Sequence, residues 1–219
     1  MNPLVIATGN LHKVQELRAI FDRQGIPILG LADLQGPFQE PLEHGTSFEA
    51  NAAIKAVSYA AQTGRVCLAD DSGLEVDALG GAPGVISSHY STDGRETGLS
   101  RAERDAANNA RLLNELDAEP IRTARFVCCM CVASPDGKVL ARSRGTFEGR
   151  IGLRDQVPRG ANGFGYDPLF LLPAPDERSS AELSPTEKNA RSHRGAAARQ
   201  MAALLRSLLI GAGQRASPG

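Results

Sequence analysis

Residues 4–21 set two hydrophobic periods back to back. Leu4 to Ala7 is an unbroken apolar run of strand length, and Thr8-Gly9-Asn10 interrupts it. Leu11, Val14, Leu17, Ile20 and Phe21 then recur at helical spacing. A strand that feeds directly into an amphipathic helix points to an α/β structure, in which the helix buries its apolar stripe against the sheet. Asn10 stands where an N-cap belongs, its side chain able to accept from an unpaired N–H of the first turn.

The alternation continues along the chain. Ile26 to Leu31 reads as a second strand, and Thr46 with Glu49 predicts a capping box for an Ala-rich helix ending near Thr63. Val66 to Ala69 predicts a strand, Asp70-Asp71-Ser72-Gly73 a polar break, and Leu74 to Val76 a further short strand, so the aspartates are expected where a strand ends. A Gly-Pro loop follows from Gly80 to Gly84, and a helix is expected over approximately Arg101 to Leu116, its stripe ending in Leu112, Leu113 and Leu116. ARFVCCMCVA and KVLARSRGTF flank SPDG, an Asp-Gly hairpin signal. The glycine-rich stretch from Arg154 to Asp167 has no period and predicts a long, functional loop. Leu169 to Leu172 predicts one more strand. Ser184 and Glu187 form a second capping box, and a last helix runs from His193 to about Leu209. With no internal repeat and no linker-like shift in composition, the pattern predicts a single α/β domain with a mixed sheet.

Composition narrows the function. The 219 residues are long enough to bury roughly 70 to 75% of the unfolded surface. Lys and Arg number 24 against 25 Asp and Glu, so no global field steers the protein to nucleic acid or an anionic membrane, and neither is expected as a partner. No apolar run reaches bilayer length, and MNPLVIATGN breaks too early for a signal-peptide core, which makes the cytoplasm the expected location. Cys67, Cys128, Cys129 and Cys131 form no CxxC pair and sit in apolar stretches, as reduced core thiols do.

Four clusters carry chemistry. Thr8 to Lys13, TGNLHK, combines a helix N-terminus, a hydroxyl and a lysine one turn in, the parts of an anion site; an ordinary capped helix would share them. Asp70 and Asp71 offer hard oxygens of the kind Mg²⁺ takes alongside phosphates, and either carboxylate could accept a proton from an attacking water; an Asx turn is the structural alternative. Glu43, just ahead of the Ala-rich helix, is a candidate second ligand. In GANGFGYDP, Phe164 and Tyr166 are flanked by glycines that remove the packing context of a core aromatic, which suits a face for a planar base. Lys188, Arg191, His193 and Arg194 concentrate cations at a helix start, where the dipole disfavours them unless an electron-rich group faces them.

TGNLHK, GTSFEANAAIKA, ADDSGLEVDALGGAPGV, GFGYDPLF and KNARSHRGAA, in this order, resemble the inosine triphosphate pyrophosphatase family of non-canonical purine nucleoside triphosphate diphosphatases, from about Leu4 to Leu208. The resemblance implies Mg²⁺-dependent hydrolysis of ITP, dITP and XTP to the monophosphate and pyrophosphate. It also implies a homodimer, and a long twisted mixed sheet flanked by helices with a nucleotide cleft between two lobes. Residues 1–210 would be the catalytic domain and 211–219 a disordered tail. Residue by residue, it places phosphate binding on Thr8, Gly9, Asn10, Leu11, His12 and Lys13, with Lys55 as a further contact. Asp71 falls on the proton acceptor and metal ligand, Glu43 on the second metal ligand and Ser72 beside the substrate. Phe164, Gly165, Tyr166, Asp167, Lys188, His193 and Arg194 fall on base recognition. Donors aimed at a 6-keto oxygen would reject adenine by about 10⁴ to 10⁵. The chain departs from the family's pattern at Ile86, His89 and Arg191. A non-catalytic purine-nucleotide binding module and a pyrophosphatase for pyrimidine or modified nucleotides stay open as alternatives, and the intact Asp70-Asp71 pair and Lys13 weigh against the first.

Overall fold

The computed structural model describes residues 3–215. Its element order is β1 (Leu4–Ile6), α1 (Leu11–Asp22), β2 (Ile28–Gly30), α2 (Phe48–Thr63), β3 (Cys67–Val76), α3 (Arg101–Glu115), β4 (Thr123–Ala133), β5 (Val139–Ile151), β6 (Phe170–Leu171), α4 (Pro185–Arg191) and α5 (His193–Arg215), with 3₁₀ turns between several of them. Six strands pair in the order β2-β1-β3-β4-β5-β6. β1 runs parallel to both β2 and β3, and β6 antiparallel to β5, so the sheet is mixed. Parallel neighbours need crossover connections, and α1 and α2 supply them.

The chain divides into two compact units, and β3, β4 and β5 each contribute residues to both. Unit 1 comprises residues 1–71, 128–145 and 194–219. Its core gathers Leu4 and Ile6 of β1, Leu17, Ile20 and Phe21 of α1, Leu68, Cys128 and Met130 of the strands, and Ala197, Ala198, Met201 and Ala202 of α5. The small side chains Ala197, Ala198 and Ala202 let α5 pack closely on this core. Unit 2 comprises residues 72–127 and 146–193, with a core of Leu74, Val76, Tyr90, Leu112, Leu116, Phe126, Phe147, Tyr166 and Phe170 among others. All four cysteines are buried free thiols, as their apolar setting requires.

Three local expectations change. The DDSG segment does not break the strand: β3 is continuous from Cys67 to Val76. β1 registers with it only as far as Leu68, so Asp70 and Asp71 lie mid-strand, beyond the end of β1. A buried strand tolerates carboxylates when countercharges meet them, and these meet lysines and an arginine. The N-cap of α2 is Ser47, one residue past Thr46, with its hydroxyl accepting from the Ala50 N–H at 3.2 Å; Glu49 therefore leaves the capping box and pairs with Arg144. Finally, α5 runs on through 211–215, residues expected in a tail, while 216–219 of that tail lie outside the described residues. The second capping box holds as expected, Ser184 and Glu187 exchanging side chain to backbone bonds across the first turn of α4. Among the described residues no helix is long and apolar enough to cross a membrane.

Candidate functional site

The sequence-predicted residues fall into two clusters, one in each unit. In unit 1 the turn between β1 and α1 is self-bonded: Thr8 Oγ1 accepts from the Asn10 N–H at 3.2 Å, and Asn10 Oδ1 accepts from the Lys13 N–H at 3.4 Å. That cap aims the first turn of α1, where Leu11 is exposed, and sets Lys13 so that its ammonium pairs with Asp70 at 3.0 Å. The His12 side chain lies outside the described side chains.

Asp70 is the deeper of the two aspartates. Its Oδ2 also receives the Arg194 guanidinium at 3.5 Å and the Cys128 thiol at 3.8 Å, whereas its Oδ1 is buried without a hydrogen-bond partner. Burial alone would push this carboxyl up, but Lys13, Arg194 and Lys55 outweigh it and hold Asp70 well below the usual carboxylate range. Arg194 in turn is only 2% exposed and pairs with Glu16 of α1. The sequence groups Arg194 with the base readers, yet its side chain is placed in unit 1 between Glu16 and Asp70.

Asp71 faces a second set of partners. Asn51 and Lys55, one turn apart on α2, both reach it: Lys55 Nζ donates to Oδ1 at 2.9 Å and Asn51 Nδ2 to Oδ2 at 3.3 Å. The same ammonium donates to Glu43 at 3.0 Å. Burial of Lys55 disfavours its charge, but Asp71, Glu43 and Asp70 prevail and keep the ammonium protonated beyond the usual lysine range. Glu43 shifts the other way: burial raises its carboxyl above the ordinary value, and Lys55 only partly offsets it. Asn51 is fixed by the Gly45 N–H, which donates to its Oδ1 at 2.8 Å; a Cβ on Gly45 would lie 2.6 Å from that oxygen. Glycine is needed there for the close approach.

Glu43 and Asp71 thus converge on one cation, and the buried Oδ1 of Asp70 is a further hard acceptor. Among the described residues no three His, Cys, Asp or Glu side chains are grouped to cage a metal. Two carboxylates are what Mg²⁺ takes from a protein when substrate phosphates and waters complete its shell, so the residues fit that ion.

In unit 2 Asp167 is the centre. Its Oδ1 accepts from Ser180 Oγ at 2.8 Å, and its Oδ2 from the Phe164 N–H at 2.8 Å and from Lys188 Nζ at 2.5 Å. Asp167 and Lys188 are both buried, the arrangement that makes a charge pair stable only when its other bonds are satisfied. Gly163, at φ +83°, passes so close that a Cβ would lie 2.2 Å from Asp167 Oδ2. The Phe164 ring carries the Arg101 guanidinium 4.6 Å from its centroid and Lys188 Nζ at 5.3 Å. Gly165, at φ +62°, donates its N–H to Asp105 at 3.0 Å and accepts from Asn109 Nδ2 at 3.1 Å.

Tyr166 corrects the expectation that its glycine neighbours keep it from being a core aromatic. Its ring is buried in the core of unit 2 and its hydroxyl donates to the Ser87 carbonyl at 2.8 Å, so of the pair only Phe164 stays half-buried, outside that core. His193 is buried with its imidazole stacked on Phe126, centroids 5.0 Å apart. Ser72 lies half-buried in β3. The departures are locally satisfied: His89 meets Glu96 at 3.0 Å, and Arg191 meets Asp176 at 2.5 Å.

Glu16, Asn51, Arg101, Asp105, Asn109 and Ser180 escape the sequence analysis. Asn51 alone had a local signal, standing four residues before Lys55 on one helix face.

Residues 4–204 match the Ham1 family. A relative from Nitratidesulfovibrio vulgaris named dITP/XTP pyrophosphatase is 50% identical over 200 residues, 90% of this chain and 93% of its own. One of the same name from an Exiguobacterium species is 49% identical over 91% of this chain and 95% of its own. The solved structure of a HAM1 protein from Coxiella burnetii superposes with a TM-score of 0.80 at 37% identity, covering 94% of this chain and all of that one.

Proposed function

The chain belongs to the Ham1 family, and on that premise we propose that it hydrolyses ITP, dITP and XTP to the monophosphate and pyrophosphate with Mg²⁺, withdrawing non-standard purines from the nucleotide pool. The observation that carries this reading is the Glu43–Lys55–Asp71 bridge, in which two carboxylates and a buried ammonium meet at one point. Such a group of charges suits a polyphosphate and its metal.

Glu43 and Asp71 would hold the Mg²⁺, which when bound screens the triphosphate charge and polarises the phosphoryl oxygens. Asp71 would accept the proton of the water that attacks the α-phosphorus, Lys55 and Asn51 fixing the carboxylate so that an oxygen faces the water. Lys13 and Lys55 would neutralise charge passing to the leaving pyrophosphate, and the N–H groups of Thr8 to Lys13 would cradle its oxygens. Asp70, kept ionised by Lys13, Lys55 and Arg194, positions Lys13. The base would be read in unit 2, with Phe164 as the stacking face and the backbone of Phe164 to Asp167, Lys188 and His193 as the polar edge. Lys188 has only donors, which suit a 6-keto oxygen and not the amine of adenine. The same reading takes the working form to be a homodimer in the cytoplasm.

The test is a panel of ITP, dITP, XTP, ATP, GTP and the pyrimidine triphosphates with Mg²⁺, scored separately for pyrophosphate and orthophosphate. Pyrophosphate from ITP and XTP should exceed that from ATP by about 10⁴-fold. Comparable turnover of every triphosphate, or release of orthophosphate, would sink the reading.

A further inference from the structure

The six residues that escape the sequence analysis include three on one stripe of α3: Arg101, Asp105 and Asn109, spaced by four. Side chains at that spacing stack along one helix face, about one turn apart. On a surface helix a polar stripe of this kind ordinarily faces water. Here each member addresses the loop some 60 residues away in sequence: Arg101 covers the Phe164 ring, Asp105 accepts the Gly165 N–H and Asn109 donates to the Gly165 carbonyl.

We infer that Asp105 and Asn109 are positioning residues for base discrimination, a step that rests on the proposed activity and assigns part of its selectivity to α3. Both polar groups of one peptide residue are committed to this helix. Gly165 sits in the left-handed region, where the backbone direction is set by its two hydrogen bonds and by no side chain of its own. The attitude of Gly165 fixes how Phe164 projects on one side of it and Tyr166 on the other. Tyr166 is tied down independently through Ser87 and the Phe164 N–H through Asp167, which leaves the Gly165 peptide groups and the ring that Arg101 covers as the parts that α3 controls.

The helix is rigid enough for the task. Leu112 and Leu113, three and four residues past Asn109, continue the same side of the helix into the core, and Asn108 accepts from the Ser91 N–H at 2.8 Å while donating to the Ser88 carbonyl at 3.1 Å. A capping box at Ser100 and Glu103 closes its first turn. Asp105 and Asn109 therefore transmit the position of a packed helix to a glycine loop that has little packing of its own. Removing either should let the Phe164 face drift while leaving the unit 1 residues untouched, which lowers base affinity and selectivity without slowing the chemical step.

The experiment compares wild type with Asp105→Ala, Asn109→Ala, the double variant and Asp105→Asn, each checked by thermal melting; alanine suits a helix interior. Losing one hydrogen bond to a charged or buried partner should raise KM for ITP about tenfold, with kcat within about twofold, and the ITP to ATP ratio of kcat/KM should fall in step. Asp105→Asn keeps an acceptor for the Gly165 N–H and should recover most of the loss. Unchanged KM and ratio in both alanine variants, or a fall in kcat at constant KM and constant ratio, would overturn the inference. If wild type releases no pyrophosphate from ITP, the proposed activity fails on its own. The inference is then decided by calorimetric titration with dITP: a tenfold weaker Kd in the alanine variants supports it, and equal Kd values refute it.

Discussion

The two clusters handle charge in opposite ways. In unit 1, carboxylates and cations alternate through two chains, Glu16–Arg194–Asp70–Lys13 and Glu43–Lys55–Asp71, so each of these carboxylates is met by at least one cationic side chain. In unit 2, a single buried pair, Lys188 with Asp167, is surrounded by neutral donors, and backbone groups of a glycine loop do much of the bonding. A network of full charges supplies strong fields where charge develops during a reaction. A loop pinned by neutral bonds supplies shape and hydrogen-bond direction, which is what telling one planar base from another requires.

The contrast predicts which kinetic quantity each cluster governs. Asp71→Asn removes the proton acceptor while keeping the shape of the side chain, and kcat for ITP should fall by about 10³-fold with the ITP to ATP ratio little changed. A ratio that collapses together with kcat would erase the division of labour between the clusters. Lys188→Met should do the reverse, reducing the ratio far more than kcat. It also strands the Asp167 carboxylate in a buried setting, so unfolding free energy should drop by about 3 to 5 kcal/mol, measured by urea titration. If Lys188→Met is as stable as wild type, the Asp167 pair is not the keystone of that loop.

Legibility in the sequence divides along the same line. Unit 1 was readable because strand, cap and helix follow one another within a few residues, so Thr8 to Lys13 could be placed from local pattern alone. The mid-strand position of Asp70 and Asp71 was not, since two adjacent aspartates before Ser-Gly carry a turn signal. What keeps them in the strand comes from Lys13, Lys55 and Arg194, the last 124 residues away. In unit 2 the loop from Gly160 to Asp167 is recognisable by its glycines, but the burial of Tyr166 is not, because glycine neighbours say nothing about a core built by distant residues such as Tyr90 and Leu112. Arg101, Asp105 and Asn109 were invisible for a different reason: a polar stripe on a helix reads as a solvated face whether or not a loop lies on it.

Two glutamates extend the comparison to pH, with the smallest expected effects. Glu43 in unit 1 is raised above its ordinary value by burial, against the pull of Lys55. Its ionisation therefore opposes folding, and stability contributed by its neutral form is lost as pH rises through the raised value. Glu187 in unit 2 is held down to about 2 by the Ser184 N–H and hydroxyl and by Arg178. Its ionised form favours folding above the ordinary glutamate range, and that contribution disappears as pH falls toward 2. In the absence of divalent metal, Glu43→Gln should melt slightly above wild type at pH 7, the difference closing as acid neutralises Glu43 in the wild type just above the ordinary glutamate range. Glu187→Gln should melt slightly below wild type at pH 7, its deficit closing only at much lower pH. The two melting differences must have opposite signs at neutral pH, because one carboxylate is desolvated beside another carboxylate, whereas the other caps the positive end of a helix. Equal signs would mean that the charge network of unit 1 compensates Glu43 fully, and the electrostatic distinction between the units would then reduce to the number of charges.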